Sequence, residues 1–187
     1  MSDEILKNLG PLAKLAGTWE GSKGDDVAPA DDRTKTENNK FRERMTFVPM
    51  GPTNNHDQVI YSLEYTTTAW RLGETEPFHK EVGYWHWDAK AKQVMKSFLV
   101  PRGMTILAGG TAEPDAKQFE MAADLGSSTC GVCSNKYLDM EFQTVRFELK
   151  VTFHADGSFS YEEDTQLKIK GQSAIFHHRD KNTLRLV

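Results

Sequence analysis

The chain has 187 residues and a mass of 21.1 kDa, room for one domain that buries a core and still encloses a cavity. No apolar run approaches the roughly 18 residues of a membrane span. The start Met-Ser-Asp-Glu-Ile-Leu-Lys-Asn lacks the parts of a secretory signal, so a cytoplasmic protein is expected. A formal net charge of -4, with Lys and Arg scattered among acids, offers no basic face to nucleic acid.

Ser2 is placed to cap a short helix from Asp3 to about Leu15, with Ile5, Leu9 and Leu12 on one stripe. Gly10-Pro11 interrupts it, so residues 1–16 should form a kinked helix or two short turns. After Gly17 the pattern is that of strands. The segment 23–40 is polar, carries Pro29 and two acidic doublets, and reads as a long loop; loops beyond about 12 to 15 residues are usually functional or disordered. Phe41, Met45 and Phe47 then alternate with Arg42, Arg44 and Thr46, and Val59, Tyr61, Leu63 and Tyr65 alternate with Ile60, Ser62, Glu64 and Thr66.

Shorter strands are expected at Gln93–Pro101, Gly103–Gly109, Gln118–Asp124 and Asn182–Val187. Val145, Phe147, Leu149, Val151 and Phe153 lead into a hairpin turn at Asp156-Gly157, followed by Phe159 and Tyr161. With the strands around Trp19 and Trp85 the count is about ten, with no interior helix, which points to an all-β, antiparallel up-and-down β-barrel over 1–187 with a short N-terminal helix and long loops.

Cys130 and Cys133 form a Cys-Gly-Val-Cys, a spacing shared by zinc half-sites and redox pairs. Zinc would need about two more ligands, and no second pair follows at finger spacing. A redox pair opens a helix, whereas Ser127-Ser128-Thr129 and Ser134-Asn135 look like loop. Ordinary reduced thiols in a turn are expected.

Four of the six histidines gather in Phe78-His79-Lys80-Glu81-Val82-Gly83-Tyr84-Trp85-His86-Trp87 and in Phe176-His177-His178-Arg179-Asp180. On a strand, His79, Glu81, Gly83, Trp85 and Trp87 share one side, which holds no Lys or Arg. Inside a barrel, His79 and Glu81 would be driven to pair with each other or to bind something. At the C-terminus, Phe176, His178, Asp180, Asn182, Leu184 and Leu186 share a side, opposite His177, Arg179, Lys181 and Arg185. Charge segregation points His178 inward, while a turn at Asp180-Lys181-Asn182 would reset the parity in favour of His177.

Three stretches resemble the nitrobindin family of haem-binding β-barrels: Leu9-Gly10-Pro11-Leu12-Ala13-Lys14-Leu15-Ala16-Gly17-Thr18-Trp19-Glu20-Gly21, Pro77-Phe78-His79-Lys80-Glu81-Val82-Gly83-Tyr84, and a histidine about ten residues from the end. The resemblance implies a ten-stranded barrel with ferric b-type haem near its mouth, held by one axial histidine that maps onto His178, with His79 in the same cavity. It further implies nitric oxide binding and haem-dependent isomerisation of peroxynitrite to nitrate. The chain departs from the family where the glycine-rich continuation of Gly-Thr-Trp-x-Gly is replaced by Lys23-Gly24-Asp25-Asp26-Val27-Ala28-Pro29, and in the Phe-His-His-Arg-Asp ending.

The cofactor-site candidates are therefore His178, His79, His177, Trp85 and Glu81, with His178 as iron ligand and haem b as cofactor. Two rivals stand beside this. One is a haem-free carrier of a fatty acid or similar small apolar ligand, as in fatty-acid-binding proteins. The other is a metal-free enzyme using His79 and Glu81 as an acid–base pair. A homodimer is compatible with the sequence, which does not set the oligomeric state.

Overall fold

The computed structural model describes residues 3–187, so the Ser2 cap lies outside the described residues. Alternating side chains carry eleven segments into strands: β1 Gly17–Pro29, β2 Thr36–Asn55, β3 Gln58–Arg71, β4 His79–Asp88, β5 Gln93–Val100, β6 Met104–Thr111, β7 Gln118–Leu125, β8 Gly131–Ser134, β9 Phe142–Phe153, β10 Phe159–Ile169 and β11 Phe176–Leu186. They close into a barrel in which β11 returns to pair with β1. Neighbours run antiparallel except β7 and β8, which pair in parallel over two residues. The strand beyond the expected ten is β8, which holds Cys133 and lies where β6 and β7 are paired only at Gly109 and Ala122. Cys130 and Cys133 are free thiols.

The stretch 23–40 is not a long loop. β1 and β2 continue through it, paired from Gly24 opposite Phe41 to Pro29 opposite Thr36. Two features hide these strands from an alternation test. A bulge between Gly21 and Gly24 resets the parity of β1. Beyond it the two fully buried positions are Gly24 and Asp26, and Ala28 follows on their side, none of them a large apolar residue.

At the N-terminus the interruption at Gly10 yields a helix, Asp3–Lys7, and a separate 3-10 turn, Gly10–Leu15. Gly10 has φ of +53°, and a Cβ there would lie 2.4 Å from the Trp87 indole, so glycine serves both the backbone and the contact. Leu9, Leu12 and Leu15 are fully buried in the barrel core, each worth about 1.5–3 kcal/mol of burial. Trp19 Nε1 donates to the Leu15 carbonyl at 2.7 Å, and Lys14 reaches the Ala116 carbonyl at 3.1 Å. These contacts seat the turn across one end of the barrel.

The strand glycine of the His-x-Glu-Val-Gly-Tyr motif has a structural reason. A Cβ on Gly83 would stand 2.0 Å from the Ser97 carbonyl oxygen and 2.7 Å from Phe98 Cα, both backbone atoms of β5. Gly83→Ala should therefore force β4 and β5 apart and destabilise by roughly 1–3 kcal/mol, read as a lower urea midpoint.

Candidate functional site

A cavity of about 550 Å³ runs down the barrel axis, within the range of about 300–1,000 Å³ usual for small-molecule sites. Its mouth lies among the turn between β1 and β2, the start of β4, the turn between β5 and β6, and the short helix Lys136–Glu141. Asn135 caps that helix by accepting from the Tyr137 and Leu138 amides. Phe41, Phe78, Met104, Leu138, Phe142 and Leu167 make the wall near the mouth apolar, with Arg33 and Arg102 at its rim.

On β4, Glu81, Trp85 and Trp87 are buried and His79 lines the cavity, while Val82 and Tyr84 are exposed. On β11, the pairing with β10 is unbroken from Phe176 to Leu184, so no turn resets the parity. His178 and Asp180 line the cavity. His177, the other C-terminal candidate, lies on the outer wall, its Nδ1 2.7 Å from Asp164 Oδ2 beside Arg179. It is placed outside because the strand keeps strict alternation through both histidines.

Sequence reasoning missed a set of inward charged residues, Asp26, Glu43, Lys96 and Glu163, which line the cavity beside Tyr65 and Tyr161. Parity alone contains the signal. Glu43 sits between Phe41 and Met45 on their side of β2, Lys96 between Val94 and Phe98 on β5, and Glu163 beyond Phe159 and Tyr161 on β10.

These groups form two linked clusters. Glu81 takes the Lys96 ammonium at 2.9 Å and the Tyr65 hydroxyl at 2.9 Å, with His79 Nε2 3.1 Å from its other oxygen. Burial pushes Glu81 up, but Lys96 and His79 overcome it and hold the carboxyl down at about 2. Burial disfavours the His79 imidazolium, yet its bond to Glu81 raises it to about 9. The Lys96 ammonium is caged by rings, with Phe98 at 3.9 Å, Tyr65 at 5.2 Å and Phe147 at 5.6 Å. The Trp85 indole N–H is buried with no acceptor among the described residues.

The second cluster is acidic. Glu43 accepts from Tyr161 at 3.0 Å and Asn182 at 2.8 Å, yet burial still lifts it to about 7. Glu163 and Asp180 stand directly opposite on β10 and β11. Burial raises Glu163 to about 8, with Asp180 adding to it, and raises Asp180 to about 7, with Glu43 adding to it. A neutral carboxyl can share the interior with its neighbours where several carboxylates could not.

Near the mouth, His178 Nε2 lies 2.8 Å from Asp26 Oδ1, and Asn39 donates to the other Asp26 oxygen at 3.0 Å. Nδ1 of His178 has no hydrogen-bond partner among the described residues. One inward imidazole, an apolar wall around it and the Arg102 guanidinium at the rim make a side-chain set that fits haem and its carboxylates, while Arg33 is already bonded to Glu141 at 2.6 Å.

No helix among the described residues is long and apolar enough to cross a membrane. A family model described as "THAP4-like, heme-binding beta-barrel domain" matches residues 8–185. A peroxynitrite isomerase of Leifsonia xyli subsp. xyli (strain CTCB07) is 40% identical over 83 residues, which are 44% of this chain and only about a third (36%) of that relative. The crystal structure of Rv2717c from M. tuberculosis shares the fold, with a TM-score of 0.68 and 19% identity over 96% of this chain and 97% of that one. The chain thus belongs to the nitrobindin-like family of THAP4-like, haem-binding β-barrel domains, and haem is its cofactor.

Proposed function

We propose that the cavity holds b-type haem at its mouth with His178 as the one protein axial ligand, and that the protein acts on nitric oxide or peroxynitrite, isomerising the latter to nitrate. The observation that carries this is an inward imidazole at the cavity mouth on the last strand, beside an apolar wall. The name of the Leifsonia relative supports the reaction class over the 83 shared residues. When bound, haem would supply a ferric Lewis-acid centre.

The chain's own residues account for the rest. His178 would bind and orient the cofactor, Arg102 at the rim would be the cation available to its carboxylates, since Arg33 is bonded to Glu141, and the apolar wall would exclude water from the reacting molecule. Isomerisation to nitrate consumes no net proton, so the interior acids need not deliver one. Glu81 is already engaged by Lys96, Tyr65 and His79, which leaves it poorly placed to act as the free base of a metal-free enzyme. A fatty-acid carrier calls for an interior cation free to meet a carboxylate, whereas Lys96 and His79 are both already bonded to Glu81.

Hemin titration of the purified chain tests this. The wild type should develop a Soret band that His178→Ala abolishes and His177→Ala preserves. A band that survives His178→Ala, or tight uptake of a fatty acid with no band at all, would falsify the assignment.

A further inference from the structure

The hairpin of β1 and β2 ends in the turn Ala30–Lys35, which reaches over the cavity, with Ala30, Asp31 and Arg33 among the residues that line it. The turn is built from local bonds. The Ala30 amide donates to the Lys35 carbonyl at 3.0 Å and the Arg33 amide to the Ala30 carbonyl at 2.8 Å, while Asp32 Oδ1 accepts from the Thr34 and Lys35 amides. Within it Arg33 has φ of +60°, a left-handed conformation that glycine adopts at less cost than a residue with a side chain.

The backbone at 33 therefore favours glycine, and the arginine needs another reason. Its side chain supplies one. The guanidinium donates to Glu141 Oε2 at 2.6 Å, 108 positions along the chain, and lies 4.6 Å over the Phe142 ring. Lys170, in the turn between β10 and β11, donates to the other Glu141 oxygen at 2.7 Å, and the Gln172 side chain donates to the Arg33 carbonyl. Glu141 is itself fixed to the sheet: its carbonyl accepts from the Lys170 amide at 3.1 Å, and Phe142 beside it pairs with Ile169 across β9 and β10. The β1–β2 turn is thus fastened across the rim to a firm post by one side chain on a strained backbone, an arrangement that persists where the strain serves a contact.

Resting on the haem reading above for the identity of the ligand, we propose that the turn Ala30–Lys35 is a flap at the cavity mouth, latched by Arg33 on Glu141, whose opening sets how fast haem enters and leaves. The latch is an ion pair only partly shielded from water, the kind that breaks readily and weakens with salt. A flap that must open for entry and for exit changes both rates alike and leaves the affinity nearly as it was.

The test uses the full chain as wild type, Arg33→Gly, Glu141→Gln and Lys92→Gln, the last removing an exposed ion pair to Glu113 at the other end of the barrel. Hemin association is followed by stopped-flow at the Soret band, and release by transfer to excess apomyoglobin. Arg33→Gly should speed both rates about 3- to 30-fold, the worth of one exposed ion pair with one cation–π contact, and leave Kd within about twofold. Glu141→Gln should act in the same direction by less, and Lys92→Gln should match the wild type. Sodium chloride at about 1 M should speed release from the wild type more than from Arg33→Gly. The urea midpoint of hemin-free Arg33→Gly should stay close to the wild type, because glycine relieves the turn as the contacts are lost.

Wild-type rates in both Arg33→Gly and Glu141→Gln overturn the flap. So does faster release with unchanged association, the mark of a direct contact with haem. Should Arg33→Gly fail to fold, Glu141→Gln decides alone. A wild type that develops no Soret band overturns the haem reading and not the flap; exchange of 8-anilinonaphthalene-1-sulfonate in the hemin-free chain then replaces hemin, and an unchanged rate in Arg33→Gly overturns the flap as well.

Discussion

Replacing Lys96 with methionine is expected to destabilise the barrel by about 3–5 kcal/mol, the usual cost of removing one member of a buried ion pair. The ammonium is 3% exposed and 2.9 Å from Glu81, which is 5% exposed, so both charges are out of water. Methionine keeps the length and much of the volume that fits among Phe98, Tyr65 and Phe147, which leaves the lost charge as the main cause. Glu81 would then rest on His79 and Tyr65 alone. Urea unfolding at neutral pH should show the midpoint fall, and a second change, Glu81→Gln, should restore much of it by removing the stranded charge. A single variant as stable as the wild type would mean that the pair contributes nothing.

The second large effect is on the pH dependence of stability. Glu43, Asp180 and Glu163 bind their protons more tightly in the folded chain, at about 7, 7 and 8, than carboxyls do in an unfolded one. Groups raised in this way contribute stability that is complete below the unfolded value, about pH 4, and drains away as pH rises toward 8. His79, raised to about 9, adds a loss between about pH 6.5 and 9. Glu81, held at about 2, works in reverse, its contribution disappearing as pH falls from about 4.5. The hemin-free protein should accordingly be most stable in mild acid, near pH 4 to 5, and lose ground steadily above pH 6. Glu163→Gln copies the neutral carboxyl and should flatten the alkaline limb, gaining roughly 2–4 kcal/mol at pH 8. Thermal unfolding of both proteins from pH 4 to 9 checks this, and parallel curves would refute it.

The barrel itself could be seen in the sequence because most strands alternate large apolar residues with polar ones. β9 and β10 do so with few exceptions. The same rule placed His79, Glu81, Trp85 and His178 on inner faces, since the opposite faces collect Lys80, Arg179 and Lys181. It failed where the inner wall is polar or small. Residues 23–29 offer Gly24, Asp26 and Ala28 to the inside after a bulge, so they look like loop. Lys96, Glu43 and Glu163 were overlooked because a charged residue on an apolar face reads as an exception to be discounted. The Asp26–His178 contact joins residues 152 positions apart and depends on how β1 meets β11, which no local pattern contains.

The three leucines of the N-terminal turn make the barrel a blind tube, stoppered at one end and open at the other. Whatever enters must leave by the same doorway. A bulky occupant lodged in that doorway would turn the space beneath it, walled by Lys96, Glu81 and Glu163, into a sealed antechamber. On the function proposed above, a molecule of a few atoms caught there would stay out of bulk solution until the occupant moved, which favours rearrangement in place over escape.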